Sequence, residues 1–380
     1  MTGRDAKPEG LGAEPTKVAP LAAEDPKDPV DEVYSLAGFE PLARRAMEPG
    51  PFDYVAGGAA GEVSLAESVA AFSRWRFRPR VLVDVSKVDI STEILGIPVS
   101  MPVGLAPTAL QRLAHPEGEV ASARAAAEAG VVFCLSTLAS RTIEDVGEAA
   151  SKPRWFQLYV HRDRGISSGL IERAEAAGFD ALVVTVDLPV VGYRERDLKN
   201  RLEIDPAMYA NFAISQRQGR SFQEVVQFLS DPGLTWNDLE WVRERTSLPL
   251  VLKGVETGED AALAVQHGVD AIEVSNHGGR QLDRAVAPLD ALEEVVQSVG
   301  GKVEVYVDGG VRRGSDVVTA LALGARAAFI GRPFLFALAA GGQRGVARAL
   351  ELLAAEIENA MALLGASNVA QISRAHLTRV

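Results

Sequence analysis

Eight short apolar runs alternate with helical patterns from Pro102 onward, and this alternation limits the possible folds more than any other feature. Each run is nearly continuous in apolar residues, as expected of a strand that is buried on both faces. The runs span residues 102–109, 131–137, 154–160, 181–187, 249–255, 271–277, 303–310 and 327–333. Most of the amphipathic stretches between them end near a glycine, which is typical of a helix C-terminus. Eight strand–helix units in succession predict an α/β fold of the (β/α)8 TIM-barrel type.

Three segments fall outside this repeat. Residues 1–30 are rich in Ala, Pro, Glu, Asp and Lys and contain no aromatic residue, which predicts a disordered N-terminal tail. Residues 31–380 are expected to form one domain, with a helical extension at 31–101 before the barrel. A long insertion between the fourth and fifth strands, at 188–235, is expected to act as a lid on the catalytic face. The alternative is a disordered loop far from the chemistry.

Charge and composition exclude several classes of function. The formal net charge of -12 argues against nucleic acid or an anionic membrane as a partner. No N-terminal signal sequence and no apolar run long enough for a membrane span is present. The single cysteine, Cys134, lies in an apolar run and cannot form a disulfide framework or a cysteine-based metal site. No pair among the five histidines has spacing suited to zinc, so we expect no metal. These features predict a cytoplasmic protein that acts on a small molecule.

Polar side chains collect where the predicted strands end, which is the catalytic face of this fold. They are Thr108, Ser136, Gln157, Tyr159, Thr185, Asp187, Lys253, Ser275, His277, Asp308 and Arg332. A packed core does not need so many polar groups at one end. The pattern therefore predicts a large polar ligand across the barrel mouth.

The last two strand ends resemble a phosphate site. "DGGVRRG" and "IGRP" follow strands seven and eight, where barrels often bind phosphate through backbone N–H groups. Arg312 or Arg332 would add charge-assisted hydrogen bonds. The alternative is ordinary turns with surface arginines. Lys253 ends an otherwise apolar strand, so it needs a negative partner, such as a ring that becomes anionic on reduction, or it forms a Schiff base. These residues fit either flavin mononucleotide (FMN) or pyridoxal phosphate.

The stretch "SNHGGRQLD" ends the sixth run and carries the predicted chemistry. His277 closes the strand, Gly278 and Gly279 are expected to clear space for a ligand, and Arg280 presents a fork that suits a carboxylate. A histidine beside a carboxylate-binding arginine indicates proton abstraction next to that carboxylate. Asp187, two strands away, could stabilise the imidazolium that forms.

Several long segments resemble one family. "APTALQRLAHPEGE", "VLKGV", "SNHGGRQLD", "VDGGVRRGSDV", "ALALGA" and "FIGRP" are similar, in the same order, to the FMN-dependent 2-hydroxy acid oxidases and dehydrogenases. That family includes glycolate oxidase, lactate oxidase, mandelate oxidase and dehydrogenase, and flavocytochrome b2. The likeness runs from about Val33 to the C-terminus. It implies a TIM barrel that binds FMN and oxidises an (S)-2-hydroxy acid to the 2-keto acid.

The resemblance also implies a role for individual residues. The catalytic residues would be His277 as base, Asp187 as its partner and Tyr159. Substrate would be bound by Tyr54, Tyr159, Arg194, His277 and Arg280. FMN would be bound by Ala106, Pro107, Thr108, Ser136, Gln157, Thr185, Lys253, Ser275, Asp308, Gly309, Gly310, Arg312, Gly331 and Arg332.

Three positions bear on the substrate and the electron acceptor. Leu138 stands where plant glycolate oxidase has tryptophan, which leaves room for a lactate- or mandelate-like acid. Tyr193, in "GYRERDL", resembles mandelate dehydrogenases, and Ala109 matches oxidases that react well with oxygen. We expect an oxidase that reduces O2 to H2O2 and forms a homotetramer, as relatives often do. The alternatives are a dehydrogenase with another acceptor, a variant like lactate monooxygenase, and a non-redox FMN barrel.

Overall fold

A computed structural model describes residues 28–212 and 221–380, and its centre is a closed barrel of eight parallel strands. The strands in chain order are β1 (Trp75–Phe77), β2 (Thr92–Ile94), β3 (Ile97–Val99), β4 (Val103–Leu105), β5 (Val132–Leu135), β6 (Arg154–Leu158), β7 (Ala181–Thr185), β8 (Leu250–Val255), β9 (Ala271–Val274), β10 (Glu304–Asp308), β11 (Ala327–Ile330) and β12 (Leu377–Arg379). Strands β4 to β11 pair in sequence order, and β11 pairs with β4 to close the barrel. Each predicted apolar run contains one barrel strand, which confirms the predicted TIM barrel.

Aromatic side chains fill the inside of the barrel. The ring of Trp155 lies 5.5 Å from that of Tyr306 and 5.4 Å from that of Phe329. Gly104 makes room for this cluster, since a Cβ at that position would lie 2.3 Å from the Phe329 ring. The interior is therefore packed, and space for a ligand remains at the mouth.

Helices surround the barrel. In the described residues they are α1 (Phe39–Ala46), α2 (Pro49–Ala56), α3 (Val63–Ala70), α4 (Glu119–Glu128), α5 (Ile143–Ala149), α6 (Arg164–Ala176), α7 (Glu195–Asn200), α8 (Phe222–Leu229), α9 (Asn237–Arg243), α10 (Gly258–Gln266), α11 (Pro288–Val299), α12 (Gly314–Ala322) and α13 (Arg332–Leu364). Gly130 and Gly268 adopt φ of +67° and +71° just after α4 and α10, as predicted for glycines that end helices. None of these helices combines the length and apolar character needed to cross a bilayer.

The helical extension before the barrel is confirmed, but the predicted disordered tail, residues 1–30, includes residues that are folded. Helices α1 to α3 lie in the extension, and α2 ends at Gly57 as its glycines predict. Residues 1–27 of the predicted tail lie outside the described residues. Val30 is only 2% exposed, and Asp28 and Asp31 form ion pairs with Arg344 of α13. Residues 28–30 therefore belong to the folded domain because Val30 buries its side chain against the C-terminal helix.

The insertion after β7 packs on the barrel where the structure describes it. It contains α7 and α8, and Tyr209, Val225 and Leu229 are buried. The amide of Ala210 donates to the carbonyl of Ala139 (3.2 Å). Residues 213–220 lie outside the described part of the chain. The described parts are ordered structure, which disfavours the disordered-loop alternative for them, and the lid role stays a prediction.

Candidate active site

A cleft of about 910 Å³, open space at its entrance included, lies at the carboxyl ends of the barrel strands. The predicted site residues that line it are Tyr54, Ala106, Pro107, Thr108, Ser136, Tyr159, Arg194, Lys253, His277, Arg280, Asp308, Gly309, Gly310, Arg312, Gly331 and Arg332. Gln157, Thr185, Asp187 and Ser275 do not line the cleft. The structure thus gathers most of the predicted residues around one space.

The predicted histidine–aspartate pair is present. His277 Nδ1 lies 2.8 Å from Asp187 Oδ1, and a carboxylate can only accept this hydrogen bond. The proton of neutral His277 is therefore on Nδ1, and Nε2 keeps its lone pair. Burial lowers the pKa of His277, although Asp187 opposes that effect. The imidazole is accordingly neutral near pH 7 and able to accept a proton at Nε2.

Tyr159 completes this part of the site. Its hydroxyl lies 3.5 Å from His277 Nε2 and lines the same cleft. Burial and the charge of Asp187 raise the pKa of Tyr159, so the hydroxyl keeps its proton. Tyr159 can therefore donate a hydrogen bond to a group that reaches His277.

The two glycines after His277 allow close packing around the site, a role beyond the predicted one. His277, Gly278 and Gly279 have φ of +57°, +64° and +71°. A Cβ on Gly278 would lie 2.8 Å from Arg332 Nη1, and one on Gly279 would lie 2.5 Å from the Leu65 amide. Gly278 lines the cleft, as expected of a glycine that clears space for a ligand, whereas Gly279 does not line it and that part of the expectation is wrong. They admit a guanidinium and the backbone of α3, and the tight left-handed turn holds His277 at the mouth.

Two arginines lie beside the histidine. Arg194 is buried and donates from Nε to the carbonyl of Arg280 (3.2 Å), which places the two residues side by side. Arg280 Nη1 donates to the carbonyls of Tyr54 (2.7 Å) and Gly57 (2.9 Å). Burial and the charge of Arg280 lower the pKa of Arg194 to about 10, so the Arg194 guanidinium is still cationic at neutral pH. A small carboxylate in the cleft would meet two positive charges on one wall.

Gln281 organises this wall, and the sequence analysis missed it. Its Nε2 donates to the carbonyls of Asp187 (3.0 Å) and Val190 (2.9 Å). Its Oε1 accepts from the Gly192 amide (3.2 Å) and from Arg194 Nη2 (3.3 Å). One side chain therefore ties the loop after β7 to the histidine loop. Its position in "HGGRQ" was the only available signal.

Lys253 lies inside the barrel among acids. Its Nζ is 2.7 Å from Asp308 Oδ2, 2.5 Å from Ser275 Oγ and 3.8 Å from Glu273 Oε1. Burial disfavours the ammonium, but Asp308 and Glu273 outweigh burial and raise the pKa of Lys253. The lysine is therefore a fixed cation at the cleft, which disfavours a Schiff-base role because that chemistry needs the free amine. Its negative partner in the protein, Asp308, was predicted only as a cofactor ligand.

The residues present fit FMN. Asp308 Oδ1, from a residue that lines the cleft, is buried without a hydrogen-bond partner among residues 28–212 and 221–380. So are Gln157 Nε2 and Thr185 Oγ1, on the neighbouring strands β6 and β7. An amide, a hydroxyl and a carboxylate match the donors and acceptors of a flavin ring and its ribityl chain. Gly309 and Gly310, with φ of +92° and +85°, line the cleft just before α12. A phosphate at this end of the barrel agrees with the predicted site.

Arg312 and Arg332 lie at the predicted phosphate end. Arg312 Nη1 donates to the carbonyl of Val311 (2.8 Å). Arg332 donates from its three nitrogens to the carbonyls of Ala56, Gly278 and Gly57. A phosphate would compete with these carbonyls for Arg332, whose role as a phosphate ligand stays a prediction.

The positions that bear on substrate choice divide into two groups. Leu138 is buried and, with Tyr159 and Phe212, lines a small cavity beside the main cleft. Ala109 lines the main cleft. Tyr193 is 66% exposed, so its side chain is directed to solvent. Ala109 can therefore contact a ligand in the cleft, whereas Leu138 lines the neighbouring cavity and Tyr193 lines neither space.

Together the fold and the site define a TIM barrel of the oxidoreductase class, with a cleft whose residues fit a small carboxylate and a phosphate-bearing cofactor. Comparison with known proteins identifies the family. The family model of FMN-dependent dehydrogenases matches residues 43–379. The chain belongs to this family and is an FMN-dependent enzyme of the 2-hydroxy acid oxidase group.

Known relatives are similar to this chain along almost its whole length. The chain is 49% identical over 356 residues to an L-lactate oxidase from Nostoc sp., which covers 90% of this chain and 97% of the relative. It is 46% identical over 353 residues to a glycolate oxidase from Spinacia oleracea, with 91% and 96% covered. A structure of mandelate oxidase with (S)-4-hydroxymandelic acid has a TM-score of 0.87 and 43% identity, covering 91% of this chain and 98% of that one.

Proposed function

We propose that the protein oxidises an (S)-2-hydroxy acid of lactate-like or mandelate-like size to the 2-keto acid and transfers the electrons to O2, forming H2O2. The observation that carries this proposal is the His277–Asp187 pair, with an unprotonated Nε2 beside two cationic arginines. Relatives named lactate oxidase and mandelate oxidase support the substrate class. Leu138 in the small neighbouring cavity supports a side chain larger than that of glycolate.

The protein's own residues can perform the acid–base part of this reaction. Arg194 and Arg280 bind the substrate carboxylate, which orients the 2-hydroxyl and the hydrogen on C2 toward Tyr159 and His277. His277 Nε2 accepts a proton, and Asp187 stabilises the imidazolium through Nδ1–H. Bound FMN would supply the acceptor for the two electrons and the second proton that this oxidation removes. Lys253, already cationic, would place a positive charge beside the bound cofactor.

The test is anaerobic mixing of the purified holoenzyme with glycolate, (S)-lactate, (S)-mandelate and their (R) enantiomers. We expect (S)-lactate or (S)-mandelate to bleach the visible flavin band, and air to restore it with release of one H2O2 per keto acid. Bleaching that air does not reverse, but a quinone or dye does, would replace the oxidase with a dehydrogenase. Carbon dioxide and a shortened acid as products would indicate a monooxygenase. No bleaching by any acid would overturn the proposal.

We also propose that the enzyme is a cytoplasmic homotetramer. Val81 is 82% exposed and Leu82 is fully exposed, and Phe77 and Val83 on the same segment are also exposed. The consecutive exposed apolar side chains of residues 81–83, with Phe77 on the same segment, support a contact between copies of the chain. The single buried Cys134 suits a reducing compartment, which supports the cytoplasmic assignment.

A further inference from the structure

Glu256 lies beside the active site but has no role in the proposed proton transfer from the substrate to His277. It follows β8, in which Val251 packs in the inner core and Lys253 reaches Asp308. The pairing of β8 with β9 shifts between Lys253 and Val255, after which Val255 packs in the outer core. Alternation along the strand therefore turns the next residue, Glu256, toward the barrel mouth.

The end of β7 brings Asp187 next to this position. The Val186 amide donates to the carbonyl of Lys253 (2.9 Å). Asp187 packs so closely on the chain of β8 that a Cβ on Gly254 would lie 2.6 Å from Asp187 Cβ. Asp187 Oδ1 bonds His277, while Asp187 Oδ2 is buried without a hydrogen-bond partner among the described residues, as is Glu256 Oε1. Two half-buried acids at the ends of adjacent strands, Asp187 after β7 and Glu256 after β8, thus each have one buried carboxyl oxygen without a partner in the described residues.

The charges around Glu256 are mainly negative. Asp187 at the end of β7 and Asp308 on β10 repel its carboxylate, and Lys253 on its own strand is already paired with Asp308. On the other side, Glu294 of α11 accepts from the Gly258 amide (2.6 Å) at the start of α10. Burial, followed by Asp187 and Asp308, raises the pKa of Glu256 to about 7. Its carboxyl group therefore gains and loses a proton in the neutral range.

We propose that Glu256 is a positioning residue that acts through Asp187, so that its ionised carboxylate adds to the stabilisation of the His277 imidazolium during proton abstraction. The inference deepens the proposed oxidation of a 2-hydroxy acid and rests on it. Asp187 acts on His277 through a direct hydrogen bond, whereas Glu256 adds a second negative charge only after it loses its proton. Proton abstraction by His277 is then faster above neutral pH than Asp187 alone would allow.

The test compares Glu256→Gln with the wild-type holoenzyme. Gln matches the protonated acid, so kcat/KM for the preferred acid should be equal in both enzymes at pH 6. By pH 8 the variant should be slower by roughly three- to tenfold, as expected for loss of one nearby charge. Glu259→Gln removes the same charge from an exposed site three residues away and should follow the wild type throughout. Glu256→Asp, which keeps a carboxylate, should keep the rise between pH 6 and 8.

A second readout does not depend on turnover. The infrared difference spectrum between pH 6 and 8 should contain a carboxylic-acid carbonyl band that is missing in Glu256→Gln and retained in Glu259→Gln. That band should appear even if no 2-hydroxy acid is oxidised, which separates failure of this inference from failure of the proposed function. A constant ratio of wild-type to variant kcat/KM across this range would show a structural role and overturn the inference. The wild-type enzyme alone gives a further check. A single ionisation in its pH profile of kcat/KM, together with no carboxylic-acid band, would also overturn the inference.

Discussion

The properties of His277 come from its position in the chain and from its burial. Its left-handed backbone is tolerated because two glycines follow it and its amide donates to Ser275 Oγ (3.0 Å). The hydrogen bond with Asp187 selects the tautomer, and burial keeps the ring neutral. A base in this state needs no prior deprotonation at neutral pH, since it is already in the form that reacts.

Asp187→Asn tests the tautomer and the charge together. We expect the variant to retain FMN and to lower the rate of anaerobic flavin reduction by roughly 10²–10⁴-fold, because an amide does not stabilise the imidazolium. Stopped-flow absorbance measures this rate. Asp205→Asn, which makes the same change of charge at an exposed helix cap in the insertion, is the control. A near-normal rate in Asp187→Asn would remove Asp187 from proton transfer.

The protonation of His277 determines how kcat/KM falls at acidic pH. The reactive form is neutral, so activity is present above the pKa of His277 and is lost as the pH falls through it. Because burial lowers that pKa, the tenfold decline of kcat/KM per pH unit should begin below about pH 6.5, the ordinary value for histidine. Initial rates in buffers of constant ionic strength measure the profile. A tenfold-per-unit decline that begins above this value would contradict the lowered pKa.

The sequence predicted the residues of the active site better than it predicted the residues that contact and position them. His277, Asp187 and Lys253 stand at strand ends, where the periodicity and the resemblance both point. Gln281 and Glu256 act through contacts between loops that are distant in sequence, and no local pattern indicates such contacts. The glycines after His277 show the same limit, because the groups they admit, Arg332 and α3, lie 54 and about 210 residues away along the chain.

At the scale of elements, the loops after β9 and β10 hold the site by packing on α3. Asn276 Nδ2 donates to Ser68 Oγ (3.0 Å), and Asp283 accepts from the Ser64 amide (2.9 Å). Gly310 approaches α3 so closely that a Cβ there would lie 1.8 Å from the carbonyl oxygen of Ser68. The predicted helical extension is therefore a structural support for the barrel mouth, a role that its own sequence does not reveal.

Gly310→Ala tests this support. Both Gly310 and Gly301 have positive φ, so alanine costs about 1–2 kcal/mol in backbone strain at either position. Only Gly310→Ala adds a clash, since a Cβ on Gly301 meets no atom within 4 Å. We expect a larger fall in Tm and weaker FMN retention for Gly310→Ala than for Gly301→Ala, measured by thermal unfolding and by flavin released on dialysis. Equal falls in Tm and equal loss of FMN in the two variants would show that α3 moves to accommodate the added Cβ at little cost.

At the scale of the whole molecule, the exposed apolar run 81–83 remains after the barrel and its helices have formed. Single exposed apolar residues are ordinary, but three consecutive ones on one segment favour an interface. The proposed tetramer would bury this run and explain its composition.

Leu82→Glu tests the assembly. A charge on this fully exposed side chain would be desolvated in a contact between copies, so the variant should dissociate to smaller species at micromolar concentration. Leu363→Glu changes a single exposed leucine on α13 and should leave the assembly intact. Size-exclusion chromatography with light scattering measures both masses. A wild-type mass of one chain would reject the tetramer, and an unchanged Leu82→Glu mass would place the contact elsewhere.

The segment before the barrel and the segment after it contact each other in the folded protein. Strand β1 pairs with β12, Val30 packs against α13, and Arg344 pairs with Asp28 and Asp31. Helix α1 and strand β1 come before the barrel in the sequence, but their partners α13 and β12 come after it. The apolar face of α1 therefore stays without its native cover until the whole barrel and α13 have been synthesised.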